Sequence, residues 1–227
     1  MRTADRLLSK PARLFARSEG QTPPIGGVIK RTFDLTAAII ALILLAPLFL
    51  MIGALVKASD GGSILYGHKR IGRNGETFRC LKFRTMVENG DEVLQRHLRA
   101  DPQALEEWTA TRKLQNDPRV TRVGQVLRKL SLDELPQILN IVRGEMSVVG
   151  PRPVVSEELD YYGPAAEFYL ASRPGLTGLW QVSGRSDLDW EQAVRLDLYY
   201  VENWSVAQDL LILWRTLSAV LAKEGAY

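Results

Sequence analysis

The stretch LTAAIIALILLAPLFLMIGALV, residues 35–56, carries no charge and is roughly long enough to cross the hydrocarbon core of a bilayer. It reads as a membrane segment and sets the architecture: one apolar anchor, with the catalytic machinery in the residues C-terminal to it. A cleaved signal peptide fits poorly, because about thirty residues precede the apolar run and no small-residue cleavage site comes after it before Lys57. Both flanks are basic. Upstream, Arg2, Arg6, Lys10, Arg13, Arg17, Lys30 and Arg31 outnumber Asp5, Glu19 and Asp34; downstream, Lys57, Lys69, Arg70, Arg73, Arg79, Lys82 and Arg84 outnumber Asp60 and Glu76. A spanning helix normally has one such end, facing the cytoplasm, so two are best satisfied if both stay on that side. Pro47 supplies a break in mid-segment. The expectation is a re-entrant helix–break–helix over 29–60, between a flexible basic arm at 1–28 and a catalytic domain at 61–227 on the cytoplasmic face.

A chain of 227 residues with 46% hydrophobic content holds one domain with a real core plus an appendage. The single cysteine, Cys80, excludes an intrachain disulfide and a cysteine zinc site, and two histidines, His68 and His97, argue against a histidine-rich metal or triad site. Any metal would be held by carboxylates and be magnesium-like. The net charge of +3 is modest, and its placement matters more than its total.

SILYGHKRIGRNGETFRCLKFRTM suggests a hairpin: a strand at 64–69, a turn at Arg73-Asn74-Gly75 and a strand at 77–85. Lys82 and Arg84 then share one strand face, either as a solvated surface or as two cations aimed at a phosphate. Residues 88–113 read as a charged surface helix interrupted at Asp101-Pro102. From Asp117 to Pro153, Arg119, Arg122, Arg128, Lys129, Arg143 and Arg152 surround only a few acids, a cluster that suits an anionic ligand.

Within it, KLSLDELPQILN (129–140) puts Asp133 and Glu134 side by side. Ser131 and Glu134 have the spacing of a capping box, which leaves Asp133 unexplained at a helix start, where the dipole favours an ionised carboxylate and any phosphate beside it. Arg152, between Pro151 and Pro153, has a restricted backbone that suits either a rigid turn or a preorganised phosphate clamp. Arg173 and Arg185 lie in a glycine-punctuated loop that would allow close backbone approach to a diphosphate. Asp187-Leu188-Asp189 spells the D-x-D of many metal-dependent glycosyltransferases, though such residues before an amphipathic helix are more often caps. Val206, Leu210, Leu213, Leu217 and Val220 repeat at helical spacing, with core packing the default and, given Trp204 and Trp214, a membrane surface the alternative. There is no P-loop and no dinucleotide glycine fingerprint.

KRTFD (30–34), KFRTM (82–86), DPRVTRVG (117–124), SLDELPQILN (131–140), GEMSVVGPRP (144–153) and RPGLTGLWQVSGR (173–185) together resemble the bacterial sugar transferases, the monotopic phosphoglycosyl transferases that begin glycan assembly on polyprenyl phosphate. The resemblance runs in order from about Lys30 to the C-terminus. Its GLWQVSGR loop, short form and GAY terminus look most like the undecaprenyl-phosphate galactose phosphotransferases of exopolysaccharide synthesis. It implies an α+β fold: a small, mostly helical catalytic domain with a short β-hairpin, anchored by the re-entrant helix and by interfacial amphipathic helices at the bacterial inner membrane.

By the same resemblance Asp133 is the nucleophile and magnesium contact, and Glu134 is its partner. Lys82, Arg84, Arg119, Arg152, Arg173 and Arg185 are candidate phosphate or nucleotide contacts. The implied reaction moves a hexose 1-phosphate, galactose or glucose, from a UDP-sugar to undecaprenyl phosphate with release of UMP. A homodimer and other polysaccharide-assembly enzymes are candidate partners, and nucleic acid is not expected. Two rivals stand beside it: a metal-dependent direct transfer using Asp187 and Asp189, which would release UDP, and a non-catalytic membrane scaffold in which the dyad is only a cap.

Overall fold

The computed structural model describes residues 25–184 and 189–221, so the greater part of the basic arm, Arg185, Asp187 and the GAY terminus lie outside the described residues. The chain is mostly helical, with two small two-stranded sheets. Contacts divide it into two compact units. One takes in the described parts of Met1–Ala46, Gly67–Leu81 and Pro136–Gly225, and the other holds Pro47–Tyr66 and Lys82–Leu135.

The apolar run lies in α1, Gly27–Asp60, a 34-residue helix about 51 Å long at 1.5 Å per residue. It continues through Pro47, where the sequence predicts a helix–break–helix. A proline removes only one N–H and crowds one carbonyl, so a helix otherwise made of Leu, Ile and Ala can bend there without ending. Only 17% of its most apolar 18-residue window is buried, which sets it apart from the core helix of a soluble domain. Ile39, Ile40, Ile43, Leu44, Leu50 and Met51 are all exposed.

In the smaller unit, the C-terminal half of α1 buries Ile52 and Val56 with Phe83 and Leu127, and Leu48, Phe49, Val123, Leu132 and Leu135 pack around them. Two helices come next, α2 (Gly90–Ala100) and α3 (Pro102–Thr111), separated at the expected point. The Asp101 side chain accepts from the N–H groups of Gln103 and Ala104, and Pro102 takes the first helical position, where no donor is missed. Leu94, Leu98 and Ala104 form a small core there, so the pair is more than a solvated surface element. The next helix, α4 (Arg122–Lys129), is capped by Thr121.

The hairpin is present as β1 (Leu65–Ile71) and β2 (Thr77–Phe83), joined through Asn74 and Gly75, both at positive φ. In the larger unit α5 (Gln137–Arg143) leads to β3 (Ser147–Val149). Then come α6 (Ser156–Leu159), α7 (Ala166–Ala171), β4 (Gly175–Thr177), α8 (Trp190–Glu202) and α9 (Val206–Leu221). β3 and β4 pair in parallel, Ser147 with Gly175 and Val149 with Thr177. No local pattern in the sequence announces this second sheet. Its glycines serve it directly: a Cβ on Gly175 would run into the Gly150 nitrogen. The glycine loop thus brings backbone against backbone, where close approach to a diphosphate is the sequence-based expectation.

Val149, Leu179, Leu196, Tyr200 and Ile212 form the main core of this unit. On α9 the stripe runs outward, not into the core as expected by default. Ile212 is buried and Leu213 packs beside it, whereas Leu210, Leu211, Trp214 and Leu217 are 48–67% exposed. The inward face of the helix runs through Asp209, Ile212 and Thr216, one step round from the apolar repeat.

Candidate active site

Asp133 and Glu134 lie in a single 3-10 turn, Leu132–Glu134, and not at the first turn of an α-helix. The capping box does not form: Ser131 is at φ 55 and its side chain caps nothing. Glu134 turns to Lys82, which donates to its carboxylate at 2.6 Å. The same ammonium is 3.9 Å from Asp133. Leu132 and Leu135, on either side of the dyad, are pinned in the core of the smaller unit, and this fixes the turn.

Asp133 is 9% exposed, and among the described residues no other residue donates a hydrogen bond to its carboxylate. Burial holds its carboxyl above the usual carboxylate range. Lys82 pulls it back, the Glu134 charge pushes it up again, and Arg128 opposes that. The other buried acids are in the opposite condition. Asp34 accepts from Lys30, Ser147 and the Val148 N–H, and Asp209 accepts from Tyr200 and Trp204 and pairs with Lys30. Those carboxylates are saturated by the fold, and Asp133 is left available.

Two of the sequence motifs meet at this turn. In KFRTM and DPRVTRVG, the Thr85 carbonyl accepts from the Thr121 N–H at 3.0 Å, and Met86 bridges Val120. A Cβ on Gly124 would run into that carbonyl, so only glycine allows α4 to lie so close. Arg128 then donates to the Thr85 hydroxyl at 2.9 Å. In the sequence Arg128 stands only as one of a basic cluster, and its spacing of five residues before Asp133 is the one signal that marks it.

The expected phosphate contacts separate into two groups. Arg84 is 8% exposed and bound to Asp60 through both guanidinium ends, so it does not join Lys82 in facing an anion. Arg119 grips Asp117 through Nε and Nη2 and lies over Trp108, its centre 5.0 Å from the ring. Arg173 donates to the Gly144 carbonyl at 2.7 Å beyond the end of α5, where Arg31 also caps Ile141 and Val142. These three guanidiniums serve the fold. Arg152, in the larger unit, is different: it rests 5.7 Å from the Trp180 ring and makes no ion pair among the described residues.

The match to the bacterial sugar transferase family model covers residues 25–223. The chain belongs to the bacterial sugar transferase family. It is 62% identical over 227 residues, the whole of both chains, to the exopolysaccharide production protein ExoY of Rhizobium meliloti (strain 1021). It is 50% identical over 199 residues to the undecaprenyl-phosphate galactose phosphotransferase of Salmonella typhimurium (strain LT2), covering 88% of this chain and 42% of that protein. To the UDP-glucose:undecaprenyl-phosphate glucose-1-phosphate transferase of Caulobacter vibrioides it is 39% identical over 225 residues, 94% of this chain and 78% of that protein.

For a sugar transferase the D-x-D reading fares poorly. Asp189 accepts the Gln192 N–H at 2.8 Å, and Gln192 bonds back to the Asp189 N–H, so this acid is the N-cap of α8. Among the described residues no group of three or more His, Cys, Asp or Glu side chains converges on a metal position. That suits a magnesium ion, which keeps several waters and takes one or two carboxylates together with substrate phosphates.

Proposed function

We propose that this sugar transferase moves a hexose 1-phosphate, galactose or glucose, from a UDP-sugar to undecaprenyl phosphate with release of UMP, beginning exopolysaccharide assembly. The observation that carries the reading is Asp133: a buried carboxylate beside a lysine, bonded by no other described residue, in a fold that saturates its other buried acids. The names of the relatives agree on the lipid carrier and on hexose donors.

In the first step a carboxylate oxygen of Asp133 attacks the β-phosphorus of the donor. The bond from that phosphorus to the bridging oxygen breaks, and UMP departs with the oxygen. In the second, a phosphate oxygen of the lipid attacks the same phosphorus and releases the carboxylate, leaving a sugar diphospholipid. Two steps at one carboxylate keep the two anionic substrates from having to meet directly.

Lys82 supplies positive charge next to the attacked phosphorus, and Glu134 holds that ammonium in place. Arg128 is a second cation on the dyad side, and Arg152, free of carboxylates, is the contact for the donor diphosphate. Asp133, with Glu134 beside it, would hold magnesium, which neutralises charge on the transferring phosphoryl group.

The lipid acceptor cannot leave the bilayer cheaply, at about 0.8 kcal/mol per buried CH₂. The exposed apolar residues of α1 and of α9 support a position at the cytoplasmic face of the inner membrane, with α1 bending at Pro47 so that both basic ends stay on that side. Labelling of single cysteines placed before Lys30 and after Lys57 from opposite sides of the membrane would defeat that topology.

Intact-protein mass spectrometry with magnesium and UDP-galactose or UDP-glucose, without lipid, tests the chemistry. A gain of one phosphohexose with UMP release, absent in Asp133→Asn, is the expected result. Turnover on lipid with UDP as product would favour direct transfer and refute the covalent route.

A further inference from the structure

Asp197 is 2% exposed in the middle of α8 and has no part in the proposed chemistry. A buried acid of this kind is costly unless something in the fold uses it. One carboxylate oxygen accepts from the Tyr162 hydroxyl at 2.7 Å, and Tyr162 is itself buried. The other oxygen has no hydrogen-bond partner. Facing the carboxylate is the backbone N–H of Arg152.

That N–H is the only one in Pro151-Arg152-Pro153, since prolines have none. The rest of the turn is already fastened by other groups. Gly150 donates to the Thr177 carbonyl at 2.9 Å, Gly175 donates to that of Pro151 at 2.8 Å, and Val154 donates to the Tyr169 hydroxyl at 3.2 Å. What is left to set is the middle residue, whose guanidinium rests on Trp180. Trp180 packs on the core that includes Leu196, the neighbour of Asp197 in sequence. The acid, the arginine and its aromatic rest are therefore tied to the same stretch of α8.

We infer that Asp197, held by Tyr162, is a positioning residue that fixes the backbone of Arg152 so that its guanidinium is presented to the donor diphosphate. The inference rests on the proposed reading of Arg152 as the donor contact. It assigns work to an acid twelve positions beyond the last residue of the nearest motif in the family resemblance.

The test is a double-mutant cycle read as donor KM and kcat at saturating undecaprenyl phosphate. Asp197→Asn should raise the KM for the UDP-sugar about five- to tenfold with kcat little changed, a coupling of the size usual for residues in contact. Arg152→Ala should raise it further, and Asp197→Asn combined with Arg152→Ala should be no worse than Arg152→Ala alone. Tyr162→Phe, which removes one hydroxyl, should move KM in the same direction and lose its effect in the Arg152→Ala background; it carries the test if Asp197→Asn does not fold.

Unchanged KM in both Asp197→Asn and Tyr162→Phe, or effects that multiply with that of Arg152→Ala, would overturn the inference. A wild-type KM in Arg152→Ala would overturn it too, by removing Arg152 as the donor contact. Failure of the covalent reading is seen separately, as UDP in place of UMP from the wild-type enzyme.

Discussion

Lys82 donates to Glu134 at 2.6 Å and in doing so is kept 3.9 Å from Asp133, near enough to act through charge and too far to bond it. A nucleophile held in a short ion pair would be a poor one, and this arrangement avoids that. Lys82→Met should slow formation of the phosphohexose adduct about 10²- to 10³-fold, the usual cost of one electrostatic contact to a developing charge. Lys82→Arg should recover part of it. Quenched-flow mass spectrometry reads the rate. If Lys82 served only to pin Glu134, Glu134→Gln with Lys82 intact would reproduce the loss in full.

The Asp197 carboxyl sets a pH dependence of stability. Burial pushes it up to about 7, and the Tyr162 hydroxyl with the N–H and charge of Arg152 offset only part of this. Tyr162 from the 3-10 segment, Tyr169 from α7 and Arg152 from the proline turn are the titratable groups that face it. The folded value lies above the unfolded one, so the native state holds a proton that the unfolded chain gives up. The contribution to stability is complete below the unfolded value and is lost as pH rises to about 7. Asp197→Asn has no such titration. Denaturant melts from pH 4 to 8 should show the variant gaining on wild type up to about pH 7 and level above it, with a ceiling of about 4 kcal/mol. A variant more stable at neutral pH yet weaker toward the donor would match its role at the turn.

Gly124 carries a steric prediction. A Cβ there runs into the Thr85 carbonyl, and backbone cannot swing aside as a side chain can. Gly124→Ala should lose about 1–3 kcal/mol and slow adduct formation as well, because Thr85 holds Arg128. Gly90→Ala, whose added carbon would be 3.5 Å from the flexible Arg119 side chain, should stay within about 0.5 kcal/mol of wild type. Thermal melts of both variants decide this.

Asp189 separates a cap from a metal ligand. Asp189→Ala should cost about 1 kcal/mol through loss of the α8 N-cap and leave UMP as the product, with turnover reduced by no more than a few-fold. A loss of several orders of magnitude without a change in melting would revive the D-x-D alternative.

The elements readable from the sequence are those set by local chemistry. The apolar run, the Asn74-Gly75 hairpin and the Asp101-Pro102 boundary each depend on residues next to one another, and each is where the sequence predicts it. What spacing cannot reach is pairing across the chain. Arg84 finds Asp60, and Arg31 and Arg173 find the end of α5, so guanidiniums that look like anion sites are consumed by structure. Arg119 is a nearer miss, since its partner, Asp117, is two residues away in the same motif. Ser131 and Glu134 have the letters of a capping box, but Lys82, fifty-two positions from Glu134, takes the glutamate. The parallel pairing of β3 with β4 is hidden for the same reason: two three-residue strands show no alternation to read.

The leucines on either side of the dyad, Leu132 and Leu135, share one core with Ile52 and Val56 of α1. The carboxylates therefore ride on the anchor itself. For an enzyme acting on a lipid phosphate, whose height is set by the bilayer, any change that raises or lowers the anchor moves the nucleophile by a similar amount. Membrane thickness then becomes a rate variable, and reconstitution in lipids of graded chain length should show an optimum in turnover that donor concentration does not shift.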